Sequence, residues 1–345
     1  MYVDHKQARK VFDALRSAFV SRSYPYNEAV TPQQIVGNSL EKYDKLQQAR
    51  FWFYACMYMR GPIDSNFAVA TLLKIFENQE GLGIFDPDNP DSQNPDVIDE
   101  VMTKHKFTRL LSDVKKFWSF SSVQLAQLYA GDPRKIYEGV TTFEEIEARC
   151  RYNPKTKSGF MGFQKKMTSM VTYFLRDLRL IGLKDFPPPV DFHLMRIMVL
   201  TGVVKLSPND PRTFRYETSS VLGYEAVTQY LSDTGCCPIE LGDCLWLLSG
   251  NLCNRSPKNR EMKSFGTFDV DLIDSAATSK KKRLAAQPGL FEPDALPLHV
   301  GNETRNMRET CHKCPAFLFC KGGMPAVEYY AYGKLHLRQL VSMNK

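Results

Sequence analysis

The sequence has no apolar run long enough to cross a bilayer. Its longest stretches, such as "AVATLL" and "MVTYFL", fall far short of the roughly 18 residues that a spanning helix needs, so no membrane partner is expected. The opening "MYVDHKQARK" has no secretory apolar core, and the expected compartment is therefore the reducing cytoplasm. There, nine cysteines read as thiols or metal ligands before they read as disulfides. No pair of strands joined by a hairpin turn is visible, and no internal repeat, which argues against sandwiches, barrels and solenoids. Nothing signals a particular oligomer, and a monomer is expected.

The chain has 345 residues, 43% hydrophobic and 24% charged, which suits two globular domains or one large one without disulfide support. Lys and Arg outnumber Asp and Glu by 45 to 38, a net charge of +7 that permits an anionic partner such as nucleic acid.

Helical periodicity dominates. "QARKVFDALRSAFV" sets Val11, Leu15 and Phe19 on one stripe, and "QARFWFYACMYM" and "NFAVATLLKIF" read as two buried helices broken at Gly61-Pro62. "SSVQLAQLYA", "TTFEEIEARC" and "FQKKMTSMVTYFLRDLRLI" repeat the pattern, and Thr142 with Glu145 fits a capping box. The proline run in "FPPPVDFHLMRIMVL" stops any earlier helix and starts a new one near Asp191, a residue type that also suits the N-cap. "GIFDPDNPDSQNPDV" (83–97), rich in Asp and Pro, reads as a loop. Residues 254–310 are polar, weakly periodic and basic at "SKKKR" (279–283), and read as a long insertion loop. The fold class is all-α.

Three cysteines converge in "CHKCPAFLFC": Cys311, Cys314 and Cys320. A zinc site would favour a second Cys-x2-Cys or a His pair, and neither accompanies them, whereas iron–sulfur clusters take four thiolates at uneven spacing. Cys236, Cys237, Cys244 and Cys253 are the candidates for the fourth. "GDCLWLLSGNLC" (242–253) reads as an amphipathic helix with Cys253 at its end, free to reach a cluster, while Cys244 reads as a small core residue. The expected set is Cys253, Cys311, Cys314 and Cys320.

A Trp-bearing helix ending in a cysteine and feeding a Cys-x2-Cys-x5-Cys knuckle resembles the cluster end of the endonuclease III-like helix-hairpin-helix DNA glycosylases. "GFQKKMTSMV" (162–171) resembles their hairpin and following helix, "PVDFHLMRI" (189–197) their aspartate segment, and "FYACMYMRGPIDSNFAVATLLKIF" (53–76) their early helix pair. The resemblance covers roughly residues 45–325. It implies two helical lobes with a C-terminal [4Fe-4S] loop, divided as an N-terminal extension (1–44), a helical core with a DNA groove (45–253), the insertion (254–310) and the cluster loop with its tail (311–345). The implied partner is double-stranded DNA, with hairpin N–H groups on a phosphate and a nucleotide flipped from the stack. Asp191 takes the catalytic place and Lys166 the place of the lysine that attacks the sugar in lyase members.

The pattern also departs from the glycosylases. The turn that carries a base-gap-filling Gln reads Arg60-Gly61-Pro62, the second hairpin glycine is Gln164, and residues 254–310 separate Cys253 from Cys311 where the family has a short spacer. These departures resemble a bacteriophage branch, the amino acid:DNA transferases, or α-glutamyl/putrescinyl thymine pyrophosphorylases. That branch displaces pyrophosphate from 5-(pyrophosphoryloxymethyl)uracil in DNA with an amino acid or polyamine. The resemblance then implies a modified pyrimidine in DNA as substrate, host cytoplasm as location, and Arg60, Lys165, Lys166 and Arg196 with Gly162 as DNA or pyrophosphate contacts. The competing readings are a DNA N-glycosylase using Lys166 as a lyase amine, and a DNA-binding protein without catalysis.

Overall fold

The computed structural model describes residues 1–27, 30–59, 65–108, 110–205, 216–249, 313–320, 329–331 and 334–336. In chain order its helices are α1 (His5–Val20), α2 (Pro32–Val36), α3 (Lys45–Tyr58), α4 (Ser65–Phe76), α5 (Gln79–Leu82), α6 (Pro90–Gln93) and α7 (Pro95–Lys104). Then follow α8 (Leu111–Tyr129), α9 (Phe143–Cys150), α10 (Lys165–Asp177), α11 (Phe192–Leu200), α12 (Tyr216–Thr234) and α13 (Pro238–Leu248). The fold is mostly helical, as the periodicity predicts.

Two short antiparallel pairs accompany the helices: β1 (Tyr2–Val3) with β2 (Val204–Lys205), and β3 (Tyr329–Ala331) with β4 (Lys334–His336). The second pair, with Ala331 opposite Lys334, corrects the expectation of no hairpin-joined strands; the first joins segments some two hundred residues apart and does not bear on it. Segments of two or three residues are too short for a two-residue periodicity to stand out in the sequence.

Contacts divide the chain into two units, one of Met1–Ala29 with Val190–Lys345 and one of Val30–Pro189. This division differs from the expected N-terminal extension at 1–44 and core at 45–253. The stripe Ala8, Val11, Phe12 and Leu15 of α1 is buried in one apolar cluster with residues of α11, α12 and α13, so α1 is a core helix of its unit. Backbone and side-chain bonds fix it there: Asp4 N–H donates to the Val203 carbonyl (2.8 Å), Gln7 Nε2 to that of Thr201 (2.8 Å), and the Tyr26 hydroxyl to that of Cys244 (2.8 Å). The expected insertion at 254–310 lies outside the described residues.

In the 30–189 unit, α3 is apolar around most of its circumference and is buried from Gln48 to Tyr58. Its rings stack on neighbours at short range: Trp52 on Phe174 (4.1 Å), Tyr54 on Trp118 (4.4 Å) and Tyr58 on Phe107 (4.2 Å). Arg50 is the charged exception in this buried stretch. Its guanidinium donates to the Gly131 carbonyl (2.8 Å) and pairs with Asp86 (2.8 Å) and Asp88 (3.0 Å), tying three segments together. Gly131 is needed at this junction. Its φ is +71°, and a Cβ would lie 2.4 Å from Asp88 Oδ2.

The stretch 83–97, expected as a loop, instead holds a 3-10 turn (Gly83–Phe85), α6 and the start of α7. The reason is local. Asn89 and Asn94 each cap a helix, accepting from the backbone N–H of Asp91 and Asp96 (3.0 Å each), and each is followed by Pro at the first helical position. The capping box expected at Thr142 and Glu145 is present at the start of α9.

Candidate functional site

Asp191 stands where the extended segment after the proline run enters α11. Its backbone is extended (φ −117°, ψ −171°), and its Oδ1 accepts from the N–H groups of His193 (2.8 Å) and Leu194 (3.2 Å). The residue is 8% exposed. The carboxylate is therefore the N-cap of α11, held rigidly by two donors in a largely water-free place. A carboxylate so fixed can accept a proton or steady positive charge without reorganising.

His193 lies in the first turn of the same helix. Its Nδ1 is 3.0 Å from the hydroxyl of Ser249, and its ring meets Trp246 edge-on at 5.8 Å. Ser249 is fully buried and closes α13. The contact ties the start of α11 to the end of α13, so His193 is a satisfied histidine. Its serine partner lies 56 residues away, and no local pattern announces it.

The basic turn belongs to the other unit. Phe163 N–H donates to the Phe160 carbonyl (3.0 Å) across a turn in which Gly162 takes φ +82°, a value that favours glycine. Phe160 and Phe163 anchor it, both buried and both against Phe53 (5.1 and 5.2 Å). Gln164, in the place of the family's second glycine, is extended (φ −131°) and caps α10 without a side-chain bond. Lys165 and Lys166, half-buried, occupy the first turn of α10, which itself contains no Asp or Glu. Cations there oppose the helix dipole by about 0.3–1 kcal/mol each, a cost that a bound anion would reverse. The charge of Lys166 is felt at Cys56 in α3, whose thiol burial pushes well up.

Cys314 and Cys320 sit in a run of tight turns. Phe317 N–H donates to the Cys314 carbonyl (2.9 Å), Cys320 N–H to that of Ala316 (2.8 Å), and Ala316 N–H to the Cys314 sulfur (3.4 Å). A backbone N–H aimed at sulfur favours the thiolate form and suits a metal-bound cysteine. Ala316, 3% exposed, plugs this loop into the same apolar cluster as α1 and α11–α13, with both cysteines at its edge.

Cys244 is fully buried, donates to the Leu241 carbonyl (3.3 Å), and has its thiol pushed well up by burial, so it is the expected core residue. Among the described residues no three His, Cys, Asp or Glu side chains come together as metal ligands. Cys253, Cys311 and Arg60 lie outside the described residues, as does the side chain of Arg196. No described helix is long and apolar enough to cross a membrane. In comparisons with known proteins, the chain matches no family model, no curated protein and no solved structure.

Proposed function

We propose that this protein is a base-flipping, DNA-modifying transferase of the helix-hairpin-helix type. It displaces pyrophosphate from 5-(pyrophosphoryloxymethyl)uracil in DNA with an amino acid or polyamine. The observation that carries the reading is Asp191: a carboxylate 8% exposed, locked by two backbone donors, at the position where the resemblance implies the catalytic aspartate. The amine nitrogen attacks the base's methylene carbon as the carbon–oxygen bond to pyrophosphate breaks. The electron pair leaves with pyrophosphate, and the proton shed by nitrogen passes to Asp191. Lys165 and Lys166 at the start of α10, with Gly162 turning the chain into it, take the phosphate charge; Arg60 and Arg196 join them in this reading.

Cys253, Cys311, Cys314 and Cys320 would hold a [4Fe-4S] cluster whose contribution is to fix the C-terminal loop. The turn geometry at Cys314 supports the thiolate ligation this requires. A second reading, a DNA N-glycosylase with lyase activity, draws on Lys166, half-buried in the first turn of α10.

Anaerobically purified protein, with its visible spectrum recorded, tests these readings on DNA carrying plain, hydroxymethylated or pyrophosphorylated hydroxymethyl uracil. A mixed amino-acid and polyamine pool is added or withheld, and the digested nucleosides are weighed by mass spectrometry. A heavier nucleoside that needs both activated DNA and an amine supports the transferase. Free base with abasic sites means a glycosylase, and binding without any product means a binder. A colourless, zinc-containing protein would sink the cluster.

A further inference from the structure

We propose that the 30–189 unit carries a second site, a cleft that binds a free α-amino acid as a zwitterion. The cleft, of about 260 Å³, is framed by the start of α3, the end of α4, α5 and the segment 83–89. Pockets for drug-sized ligands run to roughly 300–1,000 Å³, so this volume suits a molecule the size of an amino acid. Phe76 and Phe85, each 1% exposed and packed edge to face (5.0 Å), give it an apolar wall.

Its charges select the ligand. Arg50, the one cation lining the cleft among the described residues, is shared by two carboxylates, Asp86 at 2.8 Å and Asp88 at 3.0 Å, so this trio carries a net charge of −1 within a chain of +7. Asp86 lines the cleft and its side chain is 43% exposed, so it can take an ammonium group in addition to Arg50. Gln47 and Asn89, which also line the cleft, use their carbonyl oxygens to cap α3 and α6. What they have left for a ligand is their NH2 groups, which donate and suit a carboxylate. An ammonium acceptor and carboxylate donors in one amino-acid-sized cleft match a zwitterion better than a plain cation or anion. That the bound amino acid is the amine donor of the reaction rests on the transferase reading above.

Calorimetric or NMR titration of the full chain without DNA, using glycine, glutamate and putrescine as probes, tests the site. Saturable binding of an amino acid is expected, weakened about tenfold or more in Asp86→Asn by loss of a charge-assisted contact. Glu77→Gln is the control: it removes a negative charge just after α4, where Glu77 pairs with Lys42 (2.8 Å) and does not line the cleft, and binding should change by less than about threefold. No saturable amino-acid binding, equal effects of the two variants, or binding of putrescine alone each overturns the proposal. The functional reading fails separately. If no modified nucleoside forms while amino acids still bind, the transferase falls and the cleft stands. If transfer proceeds while titration shows no saturable amino-acid binding weakened by Asp86→Asn, the cleft falls and the transferase stands.

Discussion

The two units reach stability by different means. The 30–189 unit is one continuous stretch of chain built on large rings: Trp52, Tyr54, Tyr58, Phe76, Phe85, Phe107 and Trp118 are all at most 1% exposed. The other is stitched from Met1–Ala29 and the chain after Val190, and its core is mostly aliphatic, with Leu15, Leu194, Ile197, Val203, Leu241 and Leu245 beside a few rings such as Phe12 and Tyr26. Rings bring large buried area in fixed orientations but also polar atoms that need partners. Trp118 Nε1 finds the Ile84 carbonyl (2.7 Å) and the Tyr54 hydroxyl finds Ser122 (2.7 Å), whereas Trp52 Nε1 and the Tyr58 hydroxyl are buried without a partner among the described residues. Aliphatic and thioether side chains make no such demand and adapt to each other's shape. The stitched unit must close across the intervening residues 30–189. Closure cost rises only by about 0.6 kcal/mol per doubling of loop length, so a discontinuous core is affordable. Asp191, His193, Cys314 and Cys320 stand on the mostly aliphatic core, and the basic turn stands on the aromatic one.

The sharpest way to break this contrast is to remove a ring. Trp118→Ala should destabilise the protein by about 3–5 kcal/mol, through the lost ring, its cavity and the unpaired Ile84 carbonyl. Urea unfolding followed by circular dichroism measures it. A loss under about 1 kcal/mol would mean that the aromatic core closes around the gap and is no more rigid than the aliphatic one.

A smaller effect probes the seam that holds α1 in the stitched unit. The Tyr230 hydroxyl donates to Asp13 (2.6 Å), Arg16 donates to the same hydroxyl (3.1 Å), and Arg16 pairs with Glu240 (2.7 Å). Burial, with the bond to Asp13, pushes the Tyr230 phenol up to about 12. In the unfolded chain the phenol ionises near 10, so between about pH 10 and 12 the unfolded state has lost a proton that the folded state keeps. The contribution is full below pH ~10 and is lost as pH rises through ~12. Tyr230→Phe should cost about 1–2 kcal/mol at neutral pH and flatten this alkaline slope. An unchanged slope in denaturation curves would assign it to other groups.

The contrast between units also marks what could be seen in the sequence. Long periodic helices such as α1, α4 and α10 are legible because one helix holds enough turns for the pattern to repeat, and α3 because its apolar run is long. The capping box at Thr142 is legible because its partners lie three residues apart. The twin Asn-Pro-Asp starts of α6 and α7 were open to view in "DNPDSQNPD" but were masked by a proline count that favours loops, although Pro is welcome in a first turn. The division of the chain was not legible. It depends on contacts such as Val3 with Val204 and Gln7 with Thr201, across about two hundred residues, and no local signal encodes them. The site divides the same way: the cap at Asp191 follows from a proline run and a favoured residue, while Ser249 beneath His193 is known only from the fold.

The smallest stability effect decides the most about function, because Asp191 has two roles that chemistry can pull apart. Asparagine keeps a side-chain oxygen and serves as an N-cap about as well as aspartate, so Asp191→Asn should move stability by only a few tenths of a kcal/mol. Alanine has no acceptor for the His193 and Leu194 N–H groups, and Asp191→Ala should cost about 1 kcal/mol. Neither amide nor methyl can take a proton from an amine, so both variants should lose base modification while Asp191→Asn keeps wild-type unfolding. Full activity in Asp191→Asn would reduce the residue to a helix cap and leave the stitched unit a scaffold without its proposed chemistry. Lost activity with unchanged stability would make the same carboxylate both the start of α11 and the acceptor of the proton.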